Sequence, residues 1–119
     1  MRVEAKAPAR VDLAGGTVDI WPLYLFHAGA QTVNIAIRCF ASCVIETRAD
    51  RRIVFVSQDQ EIRETYESLT DLALKTSALP LVRELVLFFA PRRGVTVKTT
   101  SQVPAGAGLG GSSALNIAL

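Results

Sequence analysis

Apolar positions along the chain change period several times, and each change marks a predicted element. Val3 to Ala14 is mostly apolar, with charges at Glu4, Lys6, Arg10 and Asp12, and Pro8 in its middle predicts two short strands or one bent edge strand. Gly15-Gly16 closes it, Thr17 to Pro22 reads as a loop around Asp19, and Leu23 to Gly29 is a short apolar stretch ended by glycine. Thr32 to Thr47 is rich in Val, Ile, Phe and Cys, enough for two strands or one long bent strand, and Ala49 to Arg52 is the polar turn after it. Ile53 to Ser57 is a strand by its β-branched content, whereas Gln58 to Thr70 is polar, with Ile62, Tyr66 and Leu69 near helical spacing, and reads as irregular.

Asp71 to Ala90 carries leucines, valines and phenylalanines at helical spacing, which Pro80 divides into two helices and Pro91 ends. Gly94 to Thr100 alternates apolar and polar side chains, as a half-buried strand does. Strands first, then helices and a last strand, is an α+β order and not a βαβ repeat.

The stretch Val103-Pro104-Ala105-Gly106-Ala107-Gly108-Leu109-Gly110-Gly111-Ser112-Ser113-Ala114 stands apart. Four glycines between positions 106 and 111 oppose any regular element, because glycine loses the most backbone freedom on ordering. A helix should begin directly after them, with Ser112 and Ser113 in its first turn. A glycine loop feeding a helix N-terminus offers free N–H groups and the positive end of the helix dipole to a phosphate. The two hydroxyls add a phosphate contact and an oxygen ligand for Mg²⁺. The Walker pattern is excluded, since no lysine follows Gly111. Gly106 to Gly111 meets the loose dinucleotide spacing but lies far from a first strand and has no acidic residue downstream. A flexible linker is the plain alternative, but it would have no reason to end in Ser-Ser-Ala and an apolar helix start.

Composition narrows the partners. In 119 residues, half are hydrophobic and a fifth charged, a globular balance that one core can satisfy. A net charge of +2 gives no reason to expect nucleic acid. Cys39 and Cys43 are too few for a disulfide framework, lack zinc-ligand spacing, and read as core residues of a protein in a reducing compartment. No signal-like or membrane-length apolar run occurs, so a cytoplasmic location is expected. The sequence stops at Leu119, about two turns into the helix opened by the glycine loop, and reads as a fragment.

Two separated segments together resemble the GHMP kinases, the family of galactokinase, homoserine kinase, mevalonate kinase and phosphomevalonate kinase. Pro104 to Ala114 is similar to that family's second motif, Pro-x-x-x-Gly-Leu-Gly-Ser-Ser-Ala, with Gly111 added. Lys6 to Asp19 is similar to its N-terminal motif in the sugar-kinase branch, and Ala14-Gly15-Gly16-Thr17-Val18-Asp19-Ile20-Trp21-Pro22 is closest to the pattern of heptose-phosphate kinases. Gly16 and Thr17 stand where galactokinases carry the Glu-His pair that contacts sugar, which argues against galactose itself.

The resemblance implies the N-terminal ATP-binding domain of such a kinase, with an α+β sheet and helices on one face, like the second domain of a small-subunit ribosomal protein. It implies ATP and Mg²⁺ as cofactors and phosphoryl transfer to a hydroxyl of a sugar or sugar phosphate, with no nucleic-acid or membrane partner. Pro104, Gly106, Gly108, Leu109, Gly110, Gly111, Ser112 and Ser113 would hold the nucleotide, with Ser113 also the metal ligand. Arg10 would stabilise the transferred phosphoryl group, and Asp19 would accept hydrogen bonds from sugar hydroxyls. The catalytic base and a third, glycine-rich motif would lie beyond Leu119 with the rest of the kinase, so this stretch alone should not turn over substrate. A mevalonate- or homoserine-type acceptor is the alternative within the family, and an RNA-binding module of the same fold the alternative outside it. Among the remaining residues, Asp12 is expected to pair with Arg10. His27 is expected to be a satisfied structural residue and not a base, and Trp21 and Tyr24 to be buried in the core.

Overall fold

The computed structural model describes residues 1–16, 18, 20–104 and 106–119. Its centre is a mixed five-stranded sheet: β1 (Arg2–Ala14), β2 (Val33–Thr47), β3 (Ile53–Ser57), β4 (Ile62–Tyr66) and β5 (Val95–Ser101), in the order β1-β2-β5-β3-β4. The helices are α1 (Leu23–Phe26), α2 (Leu69–Leu74), α3 (Pro80–Phe89) and α4 (Gly111–Ala118). Every neighbouring pair of strands is antiparallel except β3 and β5, which run parallel with Ser57 opposite Thr99.

Strand registers put Ala7, Ala41, Cys43, Val95, Val97, Ile53, Phe55 and Tyr66 on one face. These side chains form a single core with Leu72 of α2, Val82 and Val86 of α3, and Ala114 and Ala118 of α4. The helices therefore cover one face, as the α+β expectation had it. Phe55 is fully buried at the centre, its ring centroid 5.6 Å from that of Tyr66 in a tilted pair. The opposite face carries charge: Glu46 pairs with Lys98 at 2.9 Å and with Arg2 at 3.4 Å, and Glu4 pairs with Arg2 and Lys6. The charged side chains of that face remain hydrated, while Val54 and Thr96 on it are buried.

Two proline readings resolve simply. Pro8 does not divide the first strand. β1 is one bent edge strand, and its pairing with β2 shifts register between Pro8 and Arg10 and again between Asp12 and Ala14, so each irregularity is absorbed locally. Pro80 starts α3 at its first position, where a missing N–H costs nothing. Thr32 to Thr47 forms one long strand, β2.

The irregular reading of Gln58 to Thr70 is corrected by the fold. Ile62 to Tyr66 is β4, closed onto β3 by a tight turn in which Glu61 takes a left-handed conformation (φ 55°). The alternation was masked because Glu64, a charged residue, sits on the inward side between Ile62 and Tyr66. Its carboxylate is satisfied there by donors that only the tertiary fold supplies: Ser77 Oγ at 2.5 Å, the Ala78 N–H at 2.8 Å and Tyr66 Oη at 2.9 Å.

Trp21, Tyr24 and His27 are not in the core. All three are exposed, Trp21 by 71%. They flank or belong to α1, a four-residue helix with no buried residue, lying past the end of β1 where no other described element packs on it. Cys43 is buried on β2 and Cys39 half-buried, and both are free thiols. No described helix is long and apolar enough to cross a membrane.

Candidate functional site

The glycine segment leaves β5 at Ser101 and turns back over the end of the sheet. Ser101 Oγ donates to the Val103 carbonyl and accepts from the Val103 N–H, which makes the first bend, and buried Val103 anchors it. The Ala107 N–H donates to the Pro104 carbonyl at 3.2 Å. Across the crest, the Arg10 N–H donates to the Leu109 carbonyl at 3.1 Å, tying the loop to β1. Gly108 (φ 70°) and Gly110 (φ 67°) adopt left-handed conformations that side-chain-bearing residues avoid, and Gly110 hands the chain directly into α4.

What the loop leaves unbonded matters most. Gly110 caps α4 without a side-chain acceptor, and the first backbone bond of the helix runs from the Ala114 N–H to the Gly110 carbonyl at 2.9 Å. Among the described residues, the N–H groups of Gly111, Ser112 and Ser113 have no acceptor. They sit at the positive end of the helix dipole, and no acidic residue occupies the first turn to neutralise it.

These amides border an open cleft of about 340 Å³. Loop residues Pro104, Gly106, Gly108, Leu109, Gly110, Gly111, Ser112 and Ser113 all line it. The facing wall is the start of α3, from Ala78 to Val82, and the third side is the turn after β3, with Ser57, Asp59 and Gln60. The cleft opens where the only parallel pair among the described strands ends. Two chains leaving a sheet in the same direction must diverge there, and the gap between their loops is the common place for a ligand.

The two helix starts on this cleft are treated differently. Ahead of α3, the Ala78 N–H is taken by Glu64 and the Leu79 N–H by Ser77 Oγ, and Pro80 has no N–H at all. Burial pushes the Glu64 carboxyl up, but hydrogen bonds from Ser77, Ala78 and Tyr66 outweigh it and hold the group below the usual range. The Glu64 carboxylate ahead of α3 is thus built in, but the Leu81 and Val82 N–H groups of its first turn, like those of Gly111 to Ser113 in α4, have no acceptor among the described residues.

Arg10 does not line the cleft. Its side chain passes Gly110, where an added Cβ would stand 3.4 Å from Arg10 Cγ, and its Nε lies 3.1 Å from Asp12 Oδ1. The pairing expected between Arg10 and Asp12 is present. Asp19 lies outside the described residues. Asp59, Gln60 and the Ala78–Val82 wall were not picked out from the sequence. Their place depends on β3 lying beside β5, a pairing that no local pattern announces.

Residues 71–119 match the family model described as the GHMP kinases N terminal domain. The chain is 32% identical over 120 residues to D-glycero-alpha-D-manno-heptose 7-phosphate kinase of Campylobacter jejuni, covering 95% of this chain and 34% of that protein. It is 30% identical to L-fucokinase/L-fucose-1-P guanylyltransferase of Bacteroides fragilis, of which it spans 14%. Among solved structures, a D-glycero-D-manno-heptose 1-phosphate kinase from Bacteroides thetaiotaomicron superposes with a TM-score of 0.79 at 28% identity, over 99% of this chain and 39% of that one. The mevalonate kinase of Methanococcus jannaschii, at 16% identity and a TM-score of 0.73, shares the fold. The chain therefore spans about a third of the heptose-phosphate kinases it resembles.

Proposed function

We propose, for a chain built on the N-terminal domain of the GHMP kinases, that it is the nucleotide-holding part of an ATP-dependent kinase acting on a hydroxyl of a sugar or sugar phosphate. The observation that carries this reading is the row of unbonded amides at the uncapped start of α4, facing a cleft beside a glycine loop. Backbone N–H groups and a helix dipole recognise phosphate oxygens without any cationic side chain. The acceptor class rests on the heptose-phosphate kinase and fucokinase relatives, whereas the mevalonate kinase neighbour shares only the fold.

Within this reading, Gly106, Gly108, Gly110 and Gly111 let the backbone close on the phosphates. Ser112 and Ser113 present exposed hydroxyls at the same place. No lysine or arginine is among the cleft's lining residues, so the charge of a triphosphate needs another counterion. Magnesium supplies that neutralisation when bound. Ser113, exposed at the start of α4, would supply a protein oxygen to such an ion. Arg10, fastened to the loop through Leu109, is assigned to the transferred phosphoryl group, and Asp19 to the sugar hydroxyls. Phosphoryl transfer asks little more of a protein than such positioning and charge. The cytoplasm, which supplies ATP and keeps Cys39 and Cys43 reduced, is the compartment that fits.

The test is a phosphoryl-transfer assay of the complete protein with MgATP against hexoses, heptoses and their phosphates. Asp19→Ala should raise the acceptor KM, and Ser113→Ala should weaken Mg²⁺-dependent ATP binding. Absence of transfer to every sugar in the panel, together with no ATP binding, would refute the proposal.

A further inference from the structure

Asp59 is the one charged side chain among the described residues that line the cleft. Asp59 is exposed at the cleft, and because a carboxylate repels phosphate it suits the end of a ligand away from the phosphates. The two residues before it hold its position. Ser57, nearly fully buried at the end of β3, donates from Oγ to Asp59 Oδ1 at 3.1 Å. The adjoining Gln58 N–H donates to the Thr99 carbonyl at 2.9 Å, and Thr100 Oγ1 donates to Gln58 Oε1 at 2.5 Å. The turn that carries Asp59 is thereby fastened to β5, the strand that runs on into the glycine loop. Among the described residues, Oδ2 receives no hydrogen bond. An ionised carboxylate only accepts, so what it recognises is a ligand N–H or O–H. The cleft's lining also includes the apolar side chains of Leu79, Pro80, Val82 and Leu115, a surface suited to a flat ring.

We infer that Asp59 is a ligand-contacting residue, accepting at Oδ2 a hydrogen bond from the nucleoside end of the bound nucleotide, either a base amino group or a ribose hydroxyl, and selecting nucleotides by that end. The inference rests on the nucleotide reading above and adds to it the side chain that reads the nucleoside. Ser57 acts through Asp59, as a positioning residue that holds Oδ1 and leaves Oδ2 turned to the ligand.

The experiment is calorimetric titration of the complete protein and of Asp59→Ala with ATP, 2′-deoxy-ATP, purine riboside triphosphate (which lacks the 6-amino group) and inorganic tripolyphosphate, all with Mg²⁺. Loss of a hydrogen bond to a charged acceptor predicts ATP binding about tenfold weaker in Asp59→Ala. Tripolyphosphate affinity should be unchanged. In the wild type, one of the two analogues should bind about tenfold less tightly than ATP, and in Asp59→Ala that difference should vanish, which identifies whether the base or the ribose is the donor. Equal ATP affinity in wild type and variant overturns the inference, as does a parallel loss of ATP and tripolyphosphate, which would mark a purely structural role. A wild type that binds neither ATP nor tripolyphosphate removes the nucleotide reading itself, and the inference with it.

Discussion

Replacing Glu64 by glutamine probes how the cleft wall is held. The carboxylate accepts from Ser77 Oγ, the Ala78 N–H and Tyr66 Oη, and Ser77 Oγ in turn accepts from the Leu79 N–H, so one side chain sets the chain path into α3. Glutamine keeps the shape but turns one of its two acceptor oxygens into a donor facing other donors. Hydrogen bonds to a charged group are worth about 1.5–3 kcal/mol against about 1 for neutral pairs, and the three bonds share one acceptor, so the net loss should be about 2 kcal/mol and not their sum. The pH dependence has a definite sign. The folded state holds this carboxyl below its ordinary value of 4.5, so its contribution to stability is fully present above that pH and fades as pH falls through the lowered folded value. Urea unfolding of wild type and Glu64→Gln at neutral pH, repeated at decreasing pH, should show a gap of about 2 kcal/mol that closes on acidification. A gap below about 0.5 kcal/mol at neutral pH, or one that persists undiminished in acid, would refute the account of Glu64 as the tie that fixes α3.

Gly110→Ala should retain the fold but strain the entry to α4. A left-handed residue with a side chain costs about 1–2 kcal/mol, so urea unfolding should show a stability loss of that size with unchanged circular dichroism; unaltered stability would contradict the left-handed entry to α4. Burial pushes the Cys43 thiol up to about 11, so in the folded protein at pH 8 only the half-buried Cys39 should react with a thiol reagent, and Cys43 only after denaturation. Two fast-reacting thiols in the native protein would contradict the packing of β2 against α4.

Most of the elements were legible in the residues because their causes are local. The β-branched run of Ile53 to Ser57, the alternation of Val95 to Lys98, the proline that opens α3 and the glycines that precede α4 each act within a few positions of themselves. The open start of α4 belongs to the same class: unpaired amides at a helix start follow from glycine and serine order along the chain. Where the local pattern misled, a distant partner had changed what a residue needs. Glu64 looked like a residue for water, but Ser77, Ala78 and Tyr66 supply its hydrogen bonds inside, and β4 exists on those terms. Trp21 and Tyr24 looked like residues for a core, but the described fold brings no surface to α1.

The sequence by itself determined that a glycine loop would lead into α4 with the first amides of that helix uncapped, because backbone conformation there is dictated by glycine and by the hydrogen bonds a helix start cannot make internally. Only the tertiary structure decided what stands opposite that loop. The parallel pairing of β3 with β5 carries Asp59 and the start of α3 across from Gly110 and Ser113, and strand pairing is a choice among long-range contacts whose energy no short segment contains.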